Sequence, residues 1–567
     1  MVKNGCEAVV HLIRRLHDTT GDTHVIISID VANAFNTVSR LQGLLSIAQA
    51  IPSLYTYAYR TYSLKNKLRM DGPDEQTREP IHSEEGSTQG AVDGGVFFNT
   101  ALNHVLKEVN FVLEVEHAGA FVAIADDIVG RVTLQMARRV LDIITQRFNS
   151  LNLRINYDKC VILADSQTLL DHVDCADDPA LSTIKTTTEG IKLLGAAISK
   201  SPEFHAAHVQ KVIDEANPVL RAITEFGQNH LQQALALLRA SYMSKFSYLT
   251  RVTPPDIVSP FLQGILMEVK LALQDIISEA FNDAQWEQCL LKPRLGGIGI
   301  IDIANTATGA YYVSILSCLP TISKVDEVQK LGINATAFDC SGSPLPSNQF
   351  GNLIKALHGQ VTQVYDAAME IDRDLSLHVL DSLPTESDPR PGAITPPDKE
   401  ERVRAVNALA AAPLPSPRDL MNKSKKLQSL FLDKVSRVNR HRLMQRMEPE
   451  DIIRIHSASD EGAAIIQARP TSPNTCFQSL DFKVLLFLRL GIPIATADVN
   501  CSHCVSAQLS NRHLVNGCPH KNYKHRKHKA IMAEIVELCA AADVLVAEEQ
   551  FQCFNTRTYS PLVRPNS

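Results

Sequence analysis

A chain of 567 residues with 45% apolar and 21% charged side chains can bury several cores, which excludes a short disulfide scaffold and a disordered polyelectrolyte. Its formal net charge of −6 excludes a bulk polycation, so any contact with nucleic acid must come from a local basic groove. No apolar run reaches membrane-spanning length, the first residues lead into an amphipathic helix rather than a secretory leader, and the 12 cysteines are scattered, as suits a reducing intracellular compartment.

Residues 5–20 predict a helix, with Val9, Val10, Leu12, Ile13 and Leu16 on one apolar stripe. Residues 24–30 predict a strand ending on Asp30, within Ser28-Ile-Asp-Val-Ala-Asn-Ala-Phe-Asn36. Helices follow near 38–50 and 92–110, the second opened by the loop Gly86-Ser-Thr-Gln-Gly-Ala-Val-Asp-Gly-Gly-Val-Phe-Phe-Asn99. Its glycines permit close backbone approach and unusual φ. A hairpin is expected around Asp126-Asp127, in Phe121-Val-Ala-Ile-Ala-Asp-Asp-Ile-Val129. Residues 133–152 read as helix, Leu153-Arg-Ile-Asn-Tyr-Asp-Lys-Cys160 follows, and 191–199 return to strand after Gly190. This order predicts an α+β fold. Residues 205–335 read as mostly helical, with a structural turn at Lys292-Pro-Arg-Leu-Gly-Gly-Ile-Gly299, and 383–416 as a Pro- and Ser-rich linker.

Asp30 and the pair Asp126-Asp127 each end an apolar run. Charged residues are rarely buried unless paired or ligating a metal, and three converging carboxylates repel unless divalent cations neutralise them. That is the chemistry of a two-metal phosphoryl-transfer site. One Asp after a strand alone would mark a turn, and a lone Phe35 or Lys159 would suit a core ring or a solvated lysine. Five features in one order carry more weight: Asp30, the Gly86 loop, the Asp pair, 153–160 and Gly190-Ile-Lys-Leu-Leu-Gly195.

That series resembles the palm of reverse transcriptases of non-LTR retrotransposons. The resemblance implies a right-hand polymerase palm with partial fingers, a mostly helical thumb, and a C-terminal helical region with a small zinc knuckle. Its expected boundaries are 1–200 for palm and partial fingers, 201–335 for thumb, 336–480 for a helical region, and 481–567 for the knuckle and the start of a nuclease-like region. It implies two Mg²⁺ ions, with Asp30 and Asp126 as bridging ligands and Asp127 as a secondary one. Val31, Phe35, Gln89 and Gly90 would bind the nucleotide, and Lys159 would serve as general acid for pyrophosphate. Leu193 to Gly195 resembles the primer grip. A bulky Phe35 collides with a ribose 2′-hydroxyl, which favours deoxynucleotides and disfavours an RNA-directed RNA polymerase. The implied partners are an RNA template, a DNA primer and deoxynucleoside triphosphates, without a membrane, in the nucleus. Two positions depart from the family: Ala91-Val92-Asp93 replaces Asp-Pro-Leu, and Ile124 replaces an aromatic.

Toward the C-terminus, Cys501, Cys504, His513 and Cys518 have the spacing of a tetrahedral Zn²⁺ site, with His503 or His520 as alternatives to His513. The basic tract Lys521 to Lys529, with Tyr523 inside it, suits phosphate contact or a solvated helix start equally well. Few basic residues precede Asp30, and no Pro-Asp…Asp-x-Lys series follows the basic tract. The expectation is therefore a polymerase truncated in its fingers and nuclease, or a catalytically weak nucleic-acid-binding remnant of such an element.

Overall fold

The computed structural model describes residues 4–18, 23–64, 66–68, 81–87, 91, 93–167, 170, 181–322, 324, 349–382, 427–472 and 475–494. The N-terminal half is built on α1 (Gly5–Asp18), β1 (His24–Ile29), α2 (Ala34–Thr37), α3 (Arg40–Ala50), α4 (Pro52–Tyr62), β2 (Asn66–Leu68), β3 (Ile81–Ser83), α5 (Gly94–Val115), β4 (Gly119–Ile124), β5 (Asp127–Thr133), α6 (Ala137–Ser150), β6 (Val161–Leu163) and β7 (Lys185–Thr187). A hairpin of β8 (Ile191–Leu193) and β9 (Ala196–Ile198) follows.

Five strands form one sheet in the order β4-β5-β1-β6-β7, antiparallel except for the β6–β7 pair. β1 is its middle strand, and its run Val25-Ile26-Ile27 is wholly buried because both faces are covered. Val25, Ile27 and Ile29 pack with Phe98, Leu102, Val105, Leu141 and Ile144 of α5 and α6. Ile26 points the other way, into a core with Val10, Ile13, Val129 and Leu163. Strand β4 is an edge, and Asn110 of α5 covers part of it. The Asn110 amide donates to the Phe121 carbonyl (2.9 Å) and its Oδ1 accepts from the Phe121 N–H (2.7 Å).

Most expected elements stand close to their predicted limits, with three corrections. The helix expected near 38–50 is α3, capped by the Ser39 hydroxyl, and an unexpected short helix, α2, precedes it after Asn33 turns left-handed (φ 47°). α4 is a further helix, begun by Pro52 at a first-turn position where its missing N–H costs nothing. The strand expected over 191–199 is the β8–β9 hairpin, reversed through Leu194 (φ 48°) and Gly195 (φ 80°). The turn predicted at 292–299 is present, with Gly296 left-handed at φ 93°.

Helices dominate the rest: α7 (Pro202–Gly227), α8 (Leu231–Leu237), a π turn (Leu238–Tyr242), α9 (Met243–Val252), α10 (Pro255–Ile277), α11 (Asp283–Cys289), α12 (Ile303–Ile322), α13 (Gln349–Ser382), α14 (Leu427–Met444), α15 (Pro449–Ser457), α16 (Ala464–Gln467) and α17 (Ser479–Leu490). Leu235, Tyr242, Phe246, Leu262 and Val269 form a second core, completed by Phe482 and Leu486 of α17. The expected linker 383–416, the zinc ligands Cys501, Cys504, His513 and Cys518, and the tract 521–529 lie outside the described residues. Among the described residues no helix is long and apolar enough to cross a membrane.

A buried polar network ties the sheet-bearing half to the helices. Arg251 of α9 grips Glu7 of α1 through two bonds of 2.9 and 2.6 Å. Ser314 of α12 donates to the same carboxylate (2.6 Å) and sits 2.8 Å from His11 Nε2. Burial, helped by Arg14, Arg15 and Arg251, holds His11 well below its ordinary pKa, so it sits there neutral. Removing one partner of a buried pair leaves the other charge uncompensated. Arg251→Ala is therefore expected to lower the unfolding free energy by about 3 kcal/mol or more in urea titration. A change below about 1 kcal/mol, the range of exposed pairs, would contradict a structural role for this pair.

Candidate active site

β1 stops one residue short of Asp30, and the chain beyond it stays pinned to the segment after α6. The Asp30 carbonyl accepts from Asn156 N (2.9 Å), Val31 bridges Ile155, and Ala32 N donates to the Arg154 carbonyl (2.9 Å). The Asp30 N–H points at the sulfur of Cys160 (3.5 Å), a thiol that burial pushes up to about 11. Asp30 thus has a fixed backbone while its carboxylate stays 37% exposed.

Asp126 comes from the tip of the β4–β5 hairpin. Ile124 pairs with Asp127, leaving Ala125 and Asp126 as a two-residue turn. Ala125 takes the left-handed conformation (φ 54°), which costs a residue with a Cβ roughly 1 kcal/mol and is common in tight hairpins and at functional turns. Because β1 and β5 are antiparallel with Ile29 opposite Ile128, continuing the register by one residue sets Asp30 across from Asp127. The hairpin tip is thereby delivered to the end of β1.

The result is a cleft of about 420 Å³, lined by Asp30, Val31, Phe35, Asp126, Asn156 and Lys159 along with the 32–34 turn and Asn36. Asp127 does not line it and is exposed. Burial, then Asp126, then Asp30 hold the Asp127 carboxyl above its ordinary pKa, so the three acids feel one another. Lys159 Nζ stands 4.0 Å from Asp30 Oδ2, with its side chain 69% exposed. The Phe35 ring stacks on Phe98 (centroids 4.6 Å apart) and rests on the sheet core while still reaching the cleft. Val31 is buried against the floor.

Gln89 and Gly90 lie outside the described residues, but the approach to them is built in detail. Gly86 has φ 67°, and a Cβ there would overlap the backbone of Phe35 and Asn36. Its N–H donates to the Val38 carbonyl (3.0 Å), and Ser87 N donates to that of Phe35 (2.7 Å). Arg40 fastens the same loop. Its buried guanidinium donates to the carbonyls of Gly86 (2.9 Å), Leu64 (3.1 Å) and Ser83 (2.9 Å), and to Ser83 Oγ (2.9 Å). Sequence reasoning missed Arg40, Asn156 and Ala125. An arginine beginning a helix carries no signal of carbonyl partners, whereas the Gly86 cluster did flag a close approach.

The donor set suits a hard cation. Among the described residues no three His, Cys, Asp or Glu side chains converge tightly enough to hold a metal ion by themselves. Two carboxylates at the cleft match the way Mg²⁺ is usually held, by one or two acids plus substrate phosphates and water. A larger cavity of about 550 Å³ lies between α15 and α17, but its wall is mainly aliphatic. The Arg489 donors on that wall are taken by the carbonyls of Gly297, Gly462 and Pro293, which marks it as structural.

Residues 3–198 match the family described as reverse transcriptase (RNA-dependent DNA polymerase), a span holding the whole sheet and every wall of the cleft. These residues form a reverse transcriptase domain. Among solved structures, the chain is similar to a telomerase from Candida albicans in complex with a fragment of telomeric RNA. That match has 12% identity and a TM-score of 0.27, and covers 64% of this chain and 50% of that one. It is also similar to an apo telomerase from Candida tropicalis, with 10% identity and a TM-score of 0.29, over 58% of this chain and 57% of that one. The chain thus spans about half the length of the solved proteins it resembles. No curated protein sequence matches it.

The raised Asp127 pKa makes a signed prediction. A carboxyl whose folded pKa lies above its unfolded value destabilises the fold once pH exceeds the folded pKa, and has no effect below the unfolded one. Without divalent cation, Asp127→Asn is expected to raise Tm at pH 7, with no gain near pH 3. A gain of equal size at both pH values would contradict a charge origin.

Proposed function

We propose that this reverse transcriptase domain extends a DNA primer on an RNA template with deoxynucleoside triphosphates, as the polymerase of a non-LTR retrotransposon acting in the nucleus. The observation that carries it is the shared cleft of Asp30 and Asp126 inside a domain of that family. In the reaction, the primer 3′-oxygen bonds to the α-phosphorus, the bond to pyrophosphate breaks, and the hydroxyl proton passes to solvent water.

Asp30 and Asp126 would hold the Mg²⁺ ions, with Asp127 supporting them by charge from outside the cleft. Bound there, such ions lower the pKa of the attacking hydroxyl and neutralise the triphosphate. Val31 provides an apolar floor. Lys159, tethered loosely to Asp30, can swing to a leaving pyrophosphate and give it a proton. Phe35, braced by Phe98, presents a rigid ring where a ribose 2′-hydroxyl would sit. Gln89 and Gly90 would lie against the incoming nucleotide, carried by the loop that Arg40 and Gly86 fix. At the C-terminus, Cys501, Cys504, His513 and Cys518 are proposed as a structural Zn²⁺ knuckle, on their spacing.

Primer extension on an RNA template with Mg²⁺ tests this. Asp30→Asn and Asp126→Asn are each expected to lower the rate by about 10³-fold or more, and Asp127→Asn by less. Wild-type rates in either of the first two would overturn the assignment. Phe35→Ala is expected to raise ribonucleotide use relative to deoxynucleotide use by roughly tenfold, the effect of relieving one steric clash. An unchanged ratio would remove Phe35 from sugar selection.

A further inference from the structure

α2, which carries Phe35 at the cleft, has four residues, and a helix that short is marginal by itself. Its entry residue, Asn33, supplies no side-chain cap. At its exit the carbonyls have no continuing helix to satisfy them. A longer helix would give the Phe35 carbonyl the amide of Ser39, but that amide donates to the Leu151 carbonyl instead (2.8 Å). The Phe35 carbonyl is satisfied from fifty-two residues further along the chain. Ser87 N donates to it at 2.7 Å and Ser87 Oγ at 3.3 Å, so one residue takes both lone pairs of that oxygen. Ser87 is 3% exposed, and its hydroxyl is committed to this bond.

The neighbours of Ser87 keep it in place. Gly86 N donates to the Val38 carbonyl (3.0 Å), and a Cβ on Gly86 would overlap the main chain of Phe35 and Asn36. The two segments therefore lie in backbone contact. Arg40 holds the Gly86 carbonyl from the side of α3 (2.9 Å). The consequence falls on the Phe35 ring, which has two ways to move. Its side chain can rotate, and the main chain beneath it can shift. The stack on Phe98, itself wholly buried, opposes rotation. Ser87 opposes the shift. A steric filter discriminates only while its wall does not yield, because a small recession of the ring would relieve the overlap with a 2′-hydroxyl.

We propose that Ser87 is a positioning residue for sugar selection: it holds the main chain of Phe35 so that the ring stays at the cleft wall when a ribonucleotide enters. The proposal rests on the role given to Phe35 above. A cap with a purely structural role would instead lower stability and slow both sugars alike.

The test measures kcat/KM for single-nucleotide primer extension with a deoxynucleotide and with the matching ribonucleotide, and reads their ratio. Ser87→Ala keeps the N–H bond and loses only the hydroxyl, and is expected to lower the preference for deoxynucleotide about threefold. Gly86→Ala forces the Phe35 main chain away from Ser87 and is expected to lower it about tenfold. In a Phe35→Ala background, Ser87→Ala should change the ratio no further, because its effect passes through the ring. Hydrogen exchange is read on the same proteins without nucleotide. Ser87→Ala should speed exchange across residues 36–38 and leave β1 as in wild type. A ratio unchanged in both Ser87→Ala and Gly86→Ala, while Phe35→Ala shifts it, overturns the proposal and leaves Phe35 as the sugar filter. The proposal also falls if Ser87→Ala lowers the ratio equally with and without the Phe35 ring, or if exchange across 36–38 is unaltered. A ratio unchanged in Phe35→Ala removes the role of Phe35 itself, and the role of Ser87 with it. A wild type that extends no primer rejects the polymerase, and a change in exchange then marks Ser87 as a structural cap only.

Discussion

The antiparallel pairing of β1 with β5 is the constraint on which the site depends. Asp30 and Asp126 are far apart in the chain, and only the register that sets Ile29 opposite Ile128 brings their segments together. Strand register is a discrete choice. A slip of one residue would turn Ile27 out of the α5–α6 core and Ile26 out of the α1 core. With both faces of β1 buried, such a slip would expose or misplace apolar surface on each side at once. Hydrophobic packing on two faces therefore fixes the position of two charged residues at its end.

Local devices refine what the register sets. Ala125 is held left-handed so that the chain reverses within two residues and leaves Asp126 at the tip. The 154–156 segment grips the backbone on both sides of Asp30, so its carboxylate varies only by side-chain rotation. Arg40 gathers carbonyls from three separated stretches and sets the loop that follows β3. Its buried donors cannot be replaced by a lysine, whose point charge lacks the planar fork. Burial first, and then the neighbouring charges of Asp126 and Asp30, hold the Asp127 carboxyl above its ordinary pKa.

Much of the site was legible in the sequence, for identifiable reasons. The apolar run before Asp30 has strand length and β-branched composition and is buried on both faces, while the run before Asp126 has strand length but stays half-buried. α1 announced itself by its apolar stripe, and α5 by the glycine-rich loop that opens it. What stayed hidden depends on contacts between distant segments. Nothing near Asn33 signals its left-handed turn, so the short α2 went unread while α3 was expected. Arg40 carried no signal in the sequence because its partners are backbone carbonyls far along the chain. The separate standing of Asp127 was visible only in part: adjacent residues at a hairpin tip point to different sides, but which one enters the cleft is a matter of turn geometry. β6 and β7, with three residues each, are too short to show a period and are held in the sheet by their neighbours.

The central claim is that Asp30 and Asp126 jointly hold a divalent cation at the end of β1. Replacing Mg²⁺ with Fe²⁺ and generating hydroxyl radicals at the bound ion cleaves the backbone beside its ligands. Cleavage is predicted at two places in one molecule, around residues 30–31 and around 125–126, with both sites lost together in Asp30→Asn and competed away by excess Mg²⁺. Cleavage at only one of the two segments, or at neither, would contradict a shared metal site.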